Sequence, residues 1–318
     1  PGVKKFVYSA NVTLNTTSSN WRFRFIDTLT PGFGLHIAGR SQNITNISNP
    51  SSAEINLEAT LNNINGPNSS PTYTTIPTPF FCINKAGSYN PGTVDPNSDS
   101  LTYSLVPGLI SGGTVTYLTC DSATAPLAVS TGSFGFNTQT GQLNFTPNLV
   151  QQSLVVNKVS EYKNGVLVGT SMREMTFVVL NNCSNNPPGG KITNNNTGKV
   201  DTSGTSINVC QSAGPVTFNI NATDLDTDVI NVVVSGLPAG ATFNITNNNT
   251  IAPTGAFSWN VSSITPGSYN FFITYTDQGC PLASKQTIAY TVNVLPKPTV
   301  AIAITSPATC TKKAIFTM

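Results

Sequence analysis

The sequence predicts an all-β chain of tandem Ig-like or cadherin-like antiparallel β-sandwiches, and three observations carry that expectation. Of its 318 residues, 37 are asparagine, set among Thr, Ser, Gly and Pro, which favour turns and strands and form helices poorly. Short apolar runs alternate with polar residues at the two-residue period of a half-buried strand, and turn residues interrupt them at sandwich spacing. One series of landmarks also occurs twice. Asp95, Asn97 and Asp99 lead into an apolar run ending at Leu105, and Asp224, Asp226 and Asp228 lead into another ending at Val234. Cys82 and Cys210 stand 128 residues apart, the acidic turns 129 apart, and the glycine-led strands starting at Thr140 and Thr254 stand 114 apart. Three landmarks in one order indicate an internal duplication.

Composition narrows the function classes. Hydrophobic residues make up 38% and aromatic residues 8%, enough apolar side chain to offset the entropy of ordering. Charged residues are only 9%, with a net charge of +2, so neither nucleic acid nor an anionic membrane surface is an expected partner. No apolar run reaches the ~18–20 residues that span a bilayer as a helix. Pro1 to Tyr8 lacks the apolar core of a signal peptide. Thr299 to Thr305 starts a strand with little chain left to cover it, so the chain is expected to be a piece of a longer protein.

Residues 1–79 are expected to be a sandwich, or the later part of one. Trp21 to Ile26 alternates cleanly, with Trp21, Phe23 and Phe25 on one face and Arg22 and Arg24 on the other, and Glu54 to Leu61 alternates again. Residues 62–79 read as a linker. A second module is expected over 80–184, containing the hairpin signal Lys163-Asn164-Gly165, because Asn-Gly tolerates the positive φ of a tight turn. After the Pro-Pro-Gly-Gly break at 187–190, a third module is expected over 185–296, with a further truncated module from 297 to 318. In the third, Pro266-Gly267-Ser268-Tyr269 resembles the tyrosine corner of Greek-key sandwiches, where the hydroxyl bonds backbone nearby.

The residues that could carry chemistry are few. The two acidic turns (Asp95, Asn97, Asp99; Asp224, Asp226, Asp228) have two readings: hard oxygens placed for calcium, or side chains that cap their own turns. Calcium is the one cofactor the sequence suggests. His36 is the only histidine, so a triad is hard to assemble, and no catalytic residue is assigned. Trp21 and Trp259 sit on alternating strands and are expected in cores. The six cysteines form no Cys-x-x-Cys pair, which disfavours zinc and fits structural disulfides in an oxidising setting. In an Ig-type topology the start of the first strand lies near the last hairpin, which predicts a Cys210–Cys280 bond. Among Cys82, Cys120 and Cys183 the pairing stays open.

Several phrases together resemble the large repetitive surface proteins of gliding Bacteroidetes: Trp21-Arg-Phe, Gly39-Arg-Ser-Gln-Asn-Ile-Thr-Asn-Ile47, Pro79-Phe-Phe-Cys-Ile-Asn84, Val94-Asp-Pro-Asn-Ser-Asp-Ser-Leu-Thr-Tyr103 and Glu161-Tyr-Lys-Asn-Gly-Val-Leu-Val-Gly169. The resemblance covers 1–185, and 186–296 resembles an Ig or cadherin-like repeat. It implies type IX secretion, a cell-surface location and a non-enzymatic stalk in an adhesin for gliding and attachment. Its partners would be neighbouring repeats, the gliding and secretion machinery, and an external surface or polysaccharide. The alternative is a glycan- or protein-binding module.

Overall fold

The computed structural model describes residues 6–26, 40–75, 80–279 and 282–297, together with the backbone of two short strands near the C-terminus. It is all-β, with two one-turn 3-10 segments as the only helical pieces among the described residues. The chain divides into two compact units: one comprises 1–187 with 276–287, the other 188–275 with 288–318.

Among the described residues the first unit contains thirteen strands: β1 Trp21–Ile26, β2 Asn56–Leu61, β3 Thr72–Tyr73, β4 Phe80–Cys82, β5 Gly87–Tyr89, β6 Thr93–Val94, β7 Ser100–Leu105, β8 Leu109–Ile110, β9 Gly113–Thr114, β10 Gly135–Phe136, β11 Leu143–Phe145, β12 Gln151–Lys163 and β13 Val166–Leu180. One sheet runs β7-β12-β13-β2-β8-β9, with β1 beside β2 and β4 beside β13; a second runs β10-β11-β5, and β3 pairs with β6. β12 and β13 are joined by the expected Asn-Gly turn, with Lys163 opposite Val166 and both turn residues at positive φ, 51° for Asn164 and 79° for Gly165.

The sheets of this unit close on Phe81, Tyr89, Phe145 and Phe177, whose rings meet at 4.8–5.8 Å. Ring pairs of this kind contribute roughly 0.5–1.5 kcal/mol beyond their area. The large sheet is covered on its other face too: Leu154 and Val156 pack against Ile44, Ile47 and Val115. Burial on both faces explains why β12 reads Leu-Val-Val instead of alternating. Arg40, itself buried, holds this cover in place by donating to Glu174 at 2.7 Å through Nε and through Nη2, and to the Glu54 and Leu109 carbonyls. Residues 1–79 are therefore not a separate module. β2 pairs with β13 (Ala59 opposite Ser171) and β3 with β6, so this stretch completes the first unit.

The second unit is a two-sheet sandwich. Its strands are β14 Gly189–Thr193, β15 Lys199–Val200, β16 Ser206–Cys210, β17 Pro215–Thr223, β18 Asn231–Ser235, β19 Thr242–Thr246, β20 Thr254–Asn260, β21 Gly267–Thr276 and β22 Lys285–Leu295. They form the sheets β14-β17-β20-β19 and β15-β16-β22-β21-β18. Alternation does the sorting: Val216, Phe218, Ile220 and Ala222 of β17 face the core, as do Phe257 and Trp259 of β20 and Phe271, Ile273 and Tyr275 of β21. The same unit also holds β23 Ala303–Ser306 and β24 Ile315–Thr317, which form an antiparallel pair of their own.

Tyr269 makes the expected corner, its hydroxyl donating to the Thr265 carbonyl at 2.7 Å. The repeated glycines do different local jobs. Gly141 turns the chain at φ 73° beneath the Tyr103 ring, whereas Gly255 lies inside β20, where a Cβ would fall 2.0 Å from the Phe243 ring. Both glycines leave room for an aromatic ring.

The cysteines pair as Cys82–Cys183, closing a span of 101 residues. Bond formation follows from the parallel pairing of β4 with β13, which sets Cys82 opposite Leu180, three residues before Cys183. The expected Cys210–Cys280 bond is corrected. Cys280 lies outside the described residues, but Cys210 is an exposed free thiol. β16 runs parallel to β22 with Cys210 level with Leu295.

Candidate metal centre

The first acidic turn connects β6 to β7 and is built on Asp95. Its Oδ1 accepts the backbone N–H groups of Asn97 and Asp99, each at 2.8 Å. Ser98 takes the left-handed conformation at φ 63°. These bonds are the turn-capping chemistry expected of an Asp followed by small polar residues. They use only one of the Asp95 oxygens.

The other oxygen faces a carboxylate from elsewhere in the chain. Asp95, Asp99 and Glu161 each present a carboxylate oxygen, and these atoms all lie within 4.8 Å of one another. Glu161 belongs to β12 and shares the inward face of Val155, Asn157 and Val159. It is only 1% exposed. A bulge in the β12–β13 ladder falls between Glu161 and Tyr162, where the strand can re-aim a side chain. Opposite it stands Gly169, where a Cβ would crowd Glu161 Oε2 at 3.1 Å. Asn68 Nδ2 donates to Glu161 Oε1 at 2.6 Å. Four buried oxygens remain without a hydrogen-bond partner: Asp95 Oδ2, Asp99 Oδ2, Glu161 Oε2 and Asn68 Oδ1. Burial, opposed by the Asn68 bond and reinforced by the negative charge of Asp95, pushes the Glu161 carboxyl up to about 7.

Asn97, expected in this group, is exposed, and its Oδ1 accepts the Ser69 N–H at 2.9 Å. It ties the turn to the segment that carries Asn68. Glu161 and Asn68 are the members sequence reading missed. The available signal was the parity of β12: an acid in step with Val155 and Val159 must enter the core.

The second acidic turn, between β17 and β18, repeats the first in backbone. Asp224 Oδ1 accepts the Asp226 N–H at 2.6 Å, and Thr227, the residue equivalent to Ser98, is left-handed at φ 60°. Asp224, Asp226 and Asp228 also bring carboxylate oxygens within 4.8 Å of one another. All three come from one loop, with Asp226 and Leu225 exposed.

The remaining candidates resolve simply. Trp259 is core, 2% exposed, its Nε1 donating to the Ala239 carbonyl at 3.0 Å. Trp21 is half-buried at the start of β1, whose Phe23 and Phe25 are 39% and 43% exposed. Cys120 is an exposed free thiol, and His36 lies outside the described residues. Among the described residues, no helix is long and apolar enough to cross a membrane.

Comparison with known proteins places the second sandwich alone. Residues 185–295 match the Putative Ig domain family. No curated protein sequence matches the chain. Similar solved structures include an endo-fucoidan hydrolase of glycoside hydrolase family 107, 11% identical, TM-score 0.23, covering 88% of this chain and 42% of the hydrolase. An I-band fragment of titin is 10% identical at TM-score 0.22, covering 89% of each chain. A protein from Porphyromonas gingivalis is 10% identical at TM-score 0.26, covering 71% of this chain and 97% of its own. This chain thus spans less than half the length of the hydrolase, and TM-scores this low carry no argument about function.

Proposed function

We propose that this chain is a non-enzymatic, extracellular stalk segment of a large bacterial surface adhesin, exported by type IX secretion and serving gliding motility and attachment. Serial repetition supports the reading. Two sandwich units follow one another, and the acidic turn of one recurs in the other with its bonding pattern and its left-handed fourth residue intact. A spacer needs stability and reach, which closed cores and a disulfide supply, and it needs no reactive constellation. Its partners are neighbouring repeats, the gliding and secretion machinery, and through the distal part of the protein an external surface or polysaccharide.

In-frame removal of this segment from the full surface protein tests the reading. The shortened protein should still be displayed, while attachment under flow falls because reach is lost. The purified chain should bind no component of a glycan array. Saturable glycan or protein binding by the isolated chain would favour a binding module instead, for which the exposed Phe23 and Phe25 of β1 are the available platform.

A further inference from the structure

The carboxylates of Asp95, Asp99 and Glu161 come from two elements far apart in sequence, yet they are packed together. The ion pairs among the described residues join Arg22 and Arg24 to Glu58 and Arg40 to Glu174, so none of the three acids has a cationic partner in them. Buried carboxylates that crowd one another without a counter-charge are costly unless one of them takes up a proton or a cation joins them. We propose that Asp95, Asp99 and Glu161, assisted by the Asn68 side-chain oxygen, form a calcium site that pins the β6–β7 turn onto β12.

Geometry supports this independently of the stalk assignment. Ligands lying 2.3–2.6 Å from a calcium ion cannot be more than about 5.2 Å apart, and the three carboxylate oxygens all lie within 4.8 Å of one another. The unpartnered oxygens of Asp95, Asp99, Glu161 and Asn68 are hard donors. They can be completed by water and by bidentate binding through Glu161 to the six to eight ligands calcium takes. Magnesium is disfavoured because it demands near-ideal octahedral geometry and gives up its water reluctantly. The second acidic turn has no equivalent of Glu161, and its cluster alone does not make a site.

The test is calorimetric titration of calcium chloride into the whole chain, freed of divalent ions by chelator, beside Glu161→Gln, Asp99→Asn and Asp226→Asn. One ion should bind with a Kd of about 0.1–1 mM, the range of extracellular modules. Glu161→Gln and Asp99→Asn should each weaken binding tenfold or more, and Asp226→Asn should leave it unchanged. Thermal unfolding separates a lost ligand from a lost fold. At tenfold excess over Kd, calcium should raise the parent melting temperature by about 3–6 °C. Glu161→Gln in chelator should melt at or above the parent, since one of three crowded charges is gone, and calcium should no longer move it. Absence of heat and of any shift up to about 10 mM, well past that affinity range, overturns the assignment. So does binding that survives Glu161→Gln but disappears in Asp226→Asn, an equal response to magnesium, or a Glu161→Gln variant that melts far below the parent in chelator.

Discussion

The two acidic turns have the same backbone and different floors. Each opens with an Asp whose Oδ1 caps the N–H two residues on, and each places a non-glycine residue at positive φ in fourth position, Ser98 and Thr227. For the β-branched Thr227 that conformation is a genuine outlier. Beneath the first lies the buried Glu161; the second stands on its own loop. Duplication copied the local chain, while the chemical environment came from strands distant in sequence. The same contrast runs through the two units. The first relies on a disulfide and a sheet covered on both faces, the second on period-two burial alone.

The largest expected effect is on the covalent side of that contrast. Breaking Cys82–Cys183 by Cys183→Ser releases a span of 101 residues, and a loop of about that size contributes about 4.7 kcal/mol through the unfolded chain. Each unit holds one of the two tryptophans, Trp21 and Trp259, so fluorescence can follow them separately. In a Trp259→Phe background, urea unfolding reported by Trp21 should shift strongly on Cys183→Ser. In Trp21→Phe, the Trp259 transition should stay put. Equal shifts in both would remove the distinction between the units.

The counterpart in the second unit is Phe257→Ala. Its ring is stacked between Phe218 at 4.4 Å and Phe271 at 5.2 Å and is fully buried. Truncating such a side chain costs about 3–5 kcal/mol. The Trp259 transition should move by that amount with the Trp21 transition unaffected, a mirror image of the disulfide result.

Smaller is the effect of Tyr290→Phe. Tyr275 donates to the Tyr290 oxygen at 2.7 Å, and Tyr290 donates to the Gly190 carbonyl at 2.8 Å. Removing the middle oxygen strands a buried donor and a buried acceptor, a loss of about 1–3 kcal/mol. The pair also sets an alkaline limit. Burial raises both hydroxyls above the ordinary tyrosine value of 10.0. Unfolded tyrosines therefore release protons first, and stability present below pH 10 falls as pH rises beyond it. Each tyrosine contributes a slope of about 1.4 kcal/mol per pH unit. Tyr290→Phe should lower neutral stability and flatten that slope, and a variant with an unchanged slope would show that the pair is not what titrates.

Much of the second sandwich was legible because its strands bury one face each. The alternation of Val216, Phe218 and Ile220, of Phe257 and Trp259, and of Phe271, Ile273 and Tyr275 carries its orientation in the residues themselves. The corner at Tyr269 and the turn at Asn164-Gly165 were legible for the same reason, since each depends on neighbours in the chain. What stayed hidden depends on register between distant strands. The parallel pairing of β4 with β13 decides that Cys82 meets Cys183, and no local pattern encodes it. The docking of residues 40–53 on the back of β12 merges the first 79 residues into the first unit. In the sequence Glu161 sits in a hairpin phrase, but its place beneath Asp95 follows from the β7–β12 pairing, in which Leu101 lies opposite Glu161.

The smallest expected effect is at the second turn, and it cuts most directly at the contrast between the two. Asp226 is exposed, and its backbone N–H donates to Asp224 Oδ1. Asp226→Asn keeps that N–H and the left-handed Thr227, so it should change stability by no more than about 0.5 kcal/mol, as for an ordinary surface substitution. In the first turn, Asp95→Asn keeps an oxygen for the Asn97 and Asp99 N–H groups but relieves the crowding around Glu161, so without divalent ions it should stabilise the first unit. Urea midpoints of the two variants in chelator, read through Trp21 and Trp259, put one substitution against the other. A rise for Asp95→Asn beside no change for Asp226→Asn is what a buried third carboxylate under only one turn requires; equal responses would mean that Glu161 does not press on the turn above it.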